Sequence, residues 1–276
     1  MAIITIAREL GSWKNDTALK LTDSLGGMLL DKEKAESQLL AKGLTDQVIQ
    51  RYDERKPGFF SSFSSDQDLY LIYLKTMMLE TATANPVCLI VGRCGNIILR
   101  RLPNCLRVRL IAPEKVRMRN IMEKYQCPEN VALKMMKASD SNRAGFCQFH
   151  FNAKWSSPVN YDLTINTENL DSDGIVETIR NAVKLQITPK RERAGAEMLK
   201  NLLLAQRVVS HIIIDRKLSL AFLEATATSD GHITLLGATS SPAAAGLAAD
   251  AAAEVEGVTK VINKIQVAVE LAHVHM

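Results

Sequence analysis

Over roughly the first 185 residues, short apolar runs alternate with segments of helical periodicity. Val87 to Val91 contains no strongly polar residue, which is typical of a central parallel strand covered on both faces. Further short strands are predicted at residues 2–7, 28–30, 106–112 and 161–165. Strands separated by helices form right-handed βαβ units, so we predict an α/β fold with a three-layer parallel sheet.

The composition changes after Leu185, where residues 188–193 are polar and charged without any apolar period. We therefore predict one domain at 1–186, a linker at 187–195 and a second domain at 196–276. The second part is predicted to hold a helix, a hairpin around Ser229-Asp230-Gly231, an alanine-rich helix and a last strand. That pattern indicates a small α+β domain.

Composition excludes several classes of protein. The net charge is +4, from 34 basic and 30 acidic residues, so we expect no nucleic-acid partner. The five cysteines are odd in number and include no C-x-x-C pair, which predicts free thiols in a reducing compartment and no cysteine-bound metal site. The first residues lack the pattern of a secretory signal, and no apolar run would span a bilayer. We expect a cytoplasmic protein without membrane contact.

The turn after the first strand, residues 8–15, leads directly into a helix, an arrangement that commonly binds phosphate. Against the pattern G-x-x-x-x-G-K-[ST], only Lys14 fits. Arg8 and Trp13 stand at the glycine positions, and Asn15 replaces the metal-binding hydroxyl, although Thr17 lies close by. By pattern alone, Lys14 is as consistent with chance as with phosphate binding.

Five segments in order carry a resemblance to a known family. They are Ile4-Thr-Ile-Ala-Arg-Glu-Leu-Gly-Ser12, Asp31-Lys-Glu33, Leu89-Ile-Val-Gly-Arg93, Asp140-Ser-Asn-Arg143 and Tyr161-Asp-Leu-Thr-Ile-Asn-Thr167. Together, over about 180 residues, the chain resembles the cytidylate kinase-like family. The resemblance implies a P-loop fold like that of the nucleoside monophosphate kinases, with ATP as donor, Mg²⁺ as cofactor and a pyrimidine nucleoside monophosphate as acceptor.

The resemblance also implies roles for individual residues, since phosphoryl transfer depends on fixed cations. The implied roles are donor-phosphate binding by Gly11, Ser12 and Lys14, with Thr17 nearby, acceptor-phosphate binding by Arg93, closure over the transferring group by Arg117, Arg119 and Arg143, and a contact from Asp31 to the acceptor or the metal.

Structural alternatives remain open for several of these side chains. Arg117 and Arg119 are also consistent with a solvated helix face. Arg143 is at helical spacing from Asp140 and can pair with it, and Asp31 can be a helix N-cap.

The C-terminal part has its own resemblance. Asp230 to Gly237, the alanine-rich helix and Gly257-Val-Thr-Lys-Val-Ile-Asn263 occur in the order typical of a BON domain. Its ligand or protein partner is not indicated by the sequence. Two functional hypotheses follow: a nucleotide kinase with an attached binding module, or a catalytically weak or inactive kinase-like domain that binds nucleotide and regulates through the BON-like module.

Overall fold

The structure, a computed structural model, describes residues 1–13, 16–55 and 65–267, with the backbone only for 65–67. The chain divides into two compact units. One comprises Met1–Tyr70 with Thr81–Ala196, and the other comprises Leu71–Glu80 with Glu197–Met276.

The first unit contains a five-stranded sheet in the order β2-β3-β1-β4-β5. All four neighbouring pairs are parallel, which confirms the predicted parallel sheet. The strands are β1 (Ala2–Arg8), β2 (Met28–Leu30), β3 (Val87–Val91), β4 (Cys105–Ile111) and β5 (Leu163–Asn166). The helices are α1 (Thr17–Leu25), α2 (Lys32–Ala41), α3 (Asp46–Tyr52), α4 (Ser65–Ala84), α5 (Gly95–Ile98), α6 (Glu114–Tyr125), α7 (Glu129–Phe151) and α8 (Ser172–Gln186).

β1 is the middle strand, and its isoleucines are buried on both faces of the sheet. Ile3 and Ile4 have no exposed surface, and Ile6 is 1% exposed. β3 and β4 lie on either side of β1, so the chain crosses from one half of the sheet to the other at this strand. In open parallel sheets, ligands bind in the crevice at the carboxyl ends of the strands beside such a crossing. The expected site is therefore the edge where β1, β3 and β4 end.

Residues 189–195, predicted as part of a linker, form the first two turns of α9 (Pro189–Ser210). Proline suits the first helical turn because it lacks the amide hydrogen that has no partner there. Arg191 also donates from Nη1 to the carbonyl of Gln186 at 2.9 Å. The polar composition of this segment therefore reflects an exposed helix start, which has no apolar period of its own.

The second unit contains a three-stranded sheet in the order β6-β7-β8. Its strands are β6 (Ala221–Ala227), β7 (His232–Thr239) and β8 (Lys260–Val267), and α10 (Pro242–Ala253) connects the last two. β6 and β7 are antiparallel, whereas β7 and β8 are parallel.

The alanine-rich helix α10, predicted from the sequence, packs against this sheet. Ala248 and Ala252 are fully buried in one cluster with Ile233 and Leu235. Small side chains let the helix backbone approach the strands closely. Residues 71–80 belong to the same unit, where the hydroxyls of Thr76 and Ser210 are 2.9 Å apart.

Candidate functional site

The turn after β1 is fixed from two directions. Gly11 has φ +83°, and a Cβ atom there would lie 2.5 Å from the carbonyl oxygen of Arg117, so only glycine fits. The Gly11 carbonyl accepts from Nδ2 of Asn120 at 2.8 Å. Ser12 is 1% exposed, and its carbonyl accepts a hydrogen bond from the Thr167 hydroxyl. α6 and the end of β5 therefore hold the turn in place.

Two predicted site residues, Lys14 and Thr17, follow this turn. Lys14, the predicted phosphate ligand, lies outside the described residues, as does Asn15. Thr17 has no exposed surface, and its hydroxyl donates to Oγ of Ser172 at 3.0 Å. Ser172 in turn donates to Oδ1 of Asp16 at 2.8 Å. In this conformation the Thr17 hydroxyl therefore forms a hydrogen bond that links α1 to α8.

A cavity of about 290 Å³ opens beside the turn. It is lined by Ser12, Trp13, Val116, Arg119, Asn120, residues 167–172 and Ile175. Arg119 is exposed and lines the cavity, whereas Arg117 on the same helix is buried. A flat aromatic side chain, an exposed guanidinium and backbone amides can together hold a planar, anionic ligand.

Trp13 and the 167–172 segment were not predicted as site residues. Trp13 stood out in the sequence only as a departure from a glycine pattern. Apart from Thr167, which ends one of the five segments of the family resemblance, the 167–172 segment has no motif, and it reaches the turn because β5 and β1 end at the same edge of the sheet.

Arg117 connects the turn to α7. Its Nε donates to the carbonyl of Leu10 at 2.8 Å, and its Nη2 donates to both carboxylate oxygens of Asp140 at 2.9 and 2.8 Å. Nη1 also lies 3.4 Å from Glu9. Asp140 therefore pairs with Arg117 here, and the partner of Arg143 is found elsewhere.

A second group of charges lies where β3 ends. Arg93 is 3% exposed, and it donates from Nε and Nη2 to the two carboxylate oxygens of Asp53 at 2.7 and 2.8 Å. It also donates to the carbonyls of Asp31 at 3.5 Å and Lys32 at 3.3 Å. Burial lowers the pKa of Arg93, but the charges of Asp53 and Glu54 and the hydrogen bonds to Asp53 outweigh it and raise that pKa. Arg93 is thus a permanent buried cation.

Glu54 joins the remaining cations of this group. It accepts from the backbone amide of Arg93 at 2.7 Å and from Nε of Arg143 at 3.3 Å. Burial raises the pKa of Glu54, but Arg143, Arg93 and Arg8 outweigh that effect and lower it to about 2. Arg8 lies over the Trp13 ring at 5.3 Å, and burial together with repulsion from Arg143 and Arg93 lowers its pKa to about 10.

The backbone at the end of β3 is strained. Gly92, Arg93 and Cys94 have φ values of +85°, +51° and +52° in succession. For residues other than glycine, a left-handed conformation costs about 1–2 kcal/mol. Such strain is often found at functional sites, where the surrounding structure compensates for it.

The prediction that all five cysteines are free is wrong for two of them. Cys94 and Cys147 form a disulfide, with their Cα atoms 6.2 Å apart. They are 53 residues apart in sequence, and they meet where Phe146 and Cys147 of α7 line the same small cavity as residues 92–94, which follow β3. Cys88 and Cys105 are free, and burial raises the pKa of each to about 12, which keeps both thiols protonated and unreactive.

Asp31, the last of the predicted site residues, follows β2. Its carboxylate accepts from the backbone amide of Lys34 at 3.1 Å and caps α2. Among the residues that the structure describes, no group of three or more His, Cys, Asp or Glu side chains could hold a metal ion unaided.

The sheet order, the glycine turn after β1 and the cations at the same edge define a P-loop-type α/β fold like that of the nucleoside monophosphate kinases. Residues 3–169 match the model of the cytidylate kinase-like family, and the chain belongs to that family. Residues 202–269 match the BON domain model. Both families were predicted from the sequence, and both predictions are confirmed.

The chain is similar to several solved structures. A crystal structure of an uncharacterized protein from Eubacterium ventriosum is 24% identical, covers 67% of this chain and 99% of its own, and has a TM-score of 0.51. A shikimate kinase from Acinetobacter baumannii in complex with shikimate is 14% identical over 67% of this chain and 94% of its own, with a TM-score of 0.40.

A deoxyadenosine kinase from M. mycoides, with dCMP and dCDP bound, is 15% identical over 66% of this chain and 99% of its own, with a TM-score of 0.39. No curated protein sequence matches the chain significantly. None of the helices in the described parts of the chain is long and apolar enough to cross a membrane.

Proposed function

We propose that the chain is a nucleotide kinase that transfers the γ-phosphate of ATP to a pyrimidine nucleoside monophosphate, similar to cytidylate. One observation carries this proposal: two features flank the same β1–α1 turn. One is the cavity lined by Trp13 and Arg119, and the other is the group of cations Arg8, Arg93 and Arg143. Phosphoryl transfer needs a donor and an acceptor on either side of a cationic centre, held in line.

The donor is proposed to lie in the 290 Å³ cavity. Its base would contact Trp13 and Arg119, and its phosphates would extend along Gly11 and Ser12 toward the N-terminus of α1. The positive end of a helix dipole favours phosphate at that place. Lys14 is retained as a donor-phosphate ligand on the strength of the family resemblance.

The acceptor phosphate is proposed to bind among Arg8, Arg93 and Arg143. A guanidinium donates two parallel hydrogen bonds to phosphate oxygens, which fixes both position and orientation. Arg117 is proposed to act indirectly, by holding the β1–α1 turn in position, because it is buried and donates to the Leu10 carbonyl.

Mg²⁺ is proposed to bind together with ATP. In phosphoryl-transfer enzymes Mg²⁺ is held mainly by phosphate and water, with one or two carboxylates from the protein. Asp31, partly exposed at the end of β2, is the proposed protein ligand, because a carboxylate that caps a helix retains free lone pairs. The ion would neutralise charge on the phosphates.

A second function is favoured by the way the cations are already used. Arg93 and Arg117 are buried and paired with carboxylates, the Thr17 hydroxyl is bonded to Ser172, and Trp13 stands at a glycine position. These features also suit a domain that binds nucleotide without turnover and regulates through the BON domain. The ligand or protein partner of the BON domain would then receive the signal.

Two measurements separate these functions. The first is a phosphoryl-transfer assay of Mg-ATP against a panel of nucleoside monophosphates. The second is an ATP titration followed by tryptophan fluorescence, since Trp13 lines the cavity. Turnover with a pyrimidine monophosphate supports the kinase, and binding without turnover supports the regulator. Absence of ATP binding at millimolar concentration rejects both.

Arg119→Ala provides the test of the donor cavity. It should weaken ATP binding by about 1.5–3 kcal/mol, the range for a hydrogen bond to a charged group. Arg100→Ala is the matched control, since Arg100 is also exposed but does not line the cavity. Equal effects of the two substitutions would place the ATP base elsewhere.

A further inference from the structure

The carboxylate of Glu54 is held as a bound anion would be held. Its Oε1 accepts from the backbone amide of Arg93 at 2.7 Å, and its Oε2 lies 3.3 Å from Nε of Arg143. Arg8 lines the same small cavity. Backbone amides and guanidinium groups around one oxyanion are the donors that proteins use for phosphate.

We propose that Glu54 is a built-in competitor that occupies the phosphate position of this site, and that a phosphate monoester dianion binds there only by displacing it. The inference rests on the proposed function for the identity of the acceptor as a nucleoside monophosphate. The exchange of Glu54 for another anion depends only on the charged cluster formed by Arg8, Asp53, Glu54, Arg93 and Arg143.

The first argument is space. The cavity bounded by Arg8, Glu54, Gly92, Arg93 and Arg143 has a volume of only about 10 Å³. Glu54 lies close against Gly92, because its Oε1 would be 2.3 Å from a Cβ atom there. About 10–15 Å³ is needed for a single water molecule, so a phosphate group cannot enter while Glu54 is in place.

The second argument is charge. Among the residues that the structure describes, three cations, Arg8, Arg93 and Arg143, face two carboxylates, those of Asp53 and Glu54. Asp53 is committed to Arg93 through both oxygens. Arg8 and Arg143 therefore share a single negative charge, and exchange of Glu54 for a dianion would bring the cluster to neutrality.

The third argument is the backbone of Glu54 itself, which has φ +49°. Residues with a Cβ atom avoid this left-handed conformation unless surrounding contacts hold them there. The contacts of the Glu54 carboxylate with Arg93 and Arg143 are of this kind. Loss of those contacts to an incoming anion would free the residue to leave, which is the behaviour required of a displaceable group.

The expected change in anion affinity follows from competition between Glu54 and the anion for one position. A ligand whose site is open for a fraction of the time binds more weakly by that same fraction. If Glu54 is in place about nine-tenths of the time or more, removing its charge should tighten anion binding roughly tenfold or more.

The test uses the full-length chain and two probes, inorganic phosphate and CMP, titrated by calorimetry. Glu54→Gln keeps the size of the side chain and removes its charge, and it should bind both probes at least about tenfold more tightly than the wild type. Asp162→Asn is the matched control. It alters another arginine-paired carboxylate, 2.6 Å from Arg107, outside this cluster, and its affinities should equal those of the wild type within about twofold.

The two probes separate this inference from the proposed function. Tighter phosphate binding by Glu54→Gln without any CMP binding would support displacement of Glu54 and reject the proposed acceptor. Equal phosphate affinity of Glu54→Gln and the wild type, or no phosphate binding by either, would overturn the inference. This holds whatever the kinase assay shows.

Glu54→Gln leaves cations without a partner and can lower the stability of the fold. The melting temperature measured with and without phosphate then gives a second readout, because a ligand that binds only the folded state raises it. Phosphate should stabilise Glu54→Gln more than the wild type. An equal or smaller effect would show that Glu54 has a structural role only.

Discussion

Asp53→Asn should destabilise the first unit more than any substitution of a surface ion pair. Asp53 and Arg93 have side chains that are 7% and 3% exposed, with two hydrogen bonds between them and a third to Asp53 from Tyr70 at 2.8 Å. Asparagine keeps the size but leaves the Arg93 charge buried without its partner. Breaking a buried pair in this way costs about 3–5 kcal/mol.

We expect the lower end of that range, about 3 kcal/mol, because the charge of Glu54 remains close to Arg93. For a unit of this size, each kcal/mol lowers the melting temperature by about 2–4 °C, which corresponds to a loss of about 6–12 °C.

Urea unfolding followed by tryptophan fluorescence is the appropriate assay. The chain has two tryptophans, Trp13 and Trp155, and both belong to the first unit, so the signal does not report on the second. Asp162→Asn is the control, since the Arg107–Asp162 pair is partly exposed, at 23% and 20%, and should contribute at most about 1 kcal/mol. If the two variants lose the same free energy, the reasoning from burial is refuted.

Three further outcomes are expected. Dithiothreitol should lower the free energy of unfolding by about 4 kcal/mol, because the Cys94–Cys147 disulfide closes a loop with a sequence separation of 53, and it should have no such effect on Cys94→Ala. The pKa of Glu54 is lowered from 4.5 to about 2, so its ionised carboxylate contributes about 3 kcal/mol to the free energy of unfolding. This contribution is present above pH 4.5 and is lost as the pH falls toward 2. An acid transition of the wild type identical to that of Glu54→Gln would contradict this. The fragment 196–276 should give the circular dichroism of a folded domain, at lower stability than in the full chain because its contacts with residues 71–80 are lost; an unfolded fragment would refute the predicted domain division.

Local patterns in the sequence were sufficient for much of the fold. The apolar runs at β1, β3 and β4 and the helical periods between them predicted the parallel sheet, because burial on both faces and one-sided burial leave different periods in a sequence. The alternative that Asp31 caps a helix also depended only on neighbouring residues, and the structure contains that cap.

The partners of the charged side chains were decided by tertiary structure. Asp53 and Glu54 occur in a short charged segment that is typical of an exposed turn, yet they pair with Arg93 and Arg143, which are 40 and 89 residues away. The disulfide between Cys94 and Cys147 spans 53 residues. Long-range pairs of this kind depend on which strands and helices become neighbours in the sheet. Local periodicity in the sequence does not indicate which elements become neighbours. The sequence by itself therefore determined the fold and the family, and only the folded chain determined which anion the arginines hold.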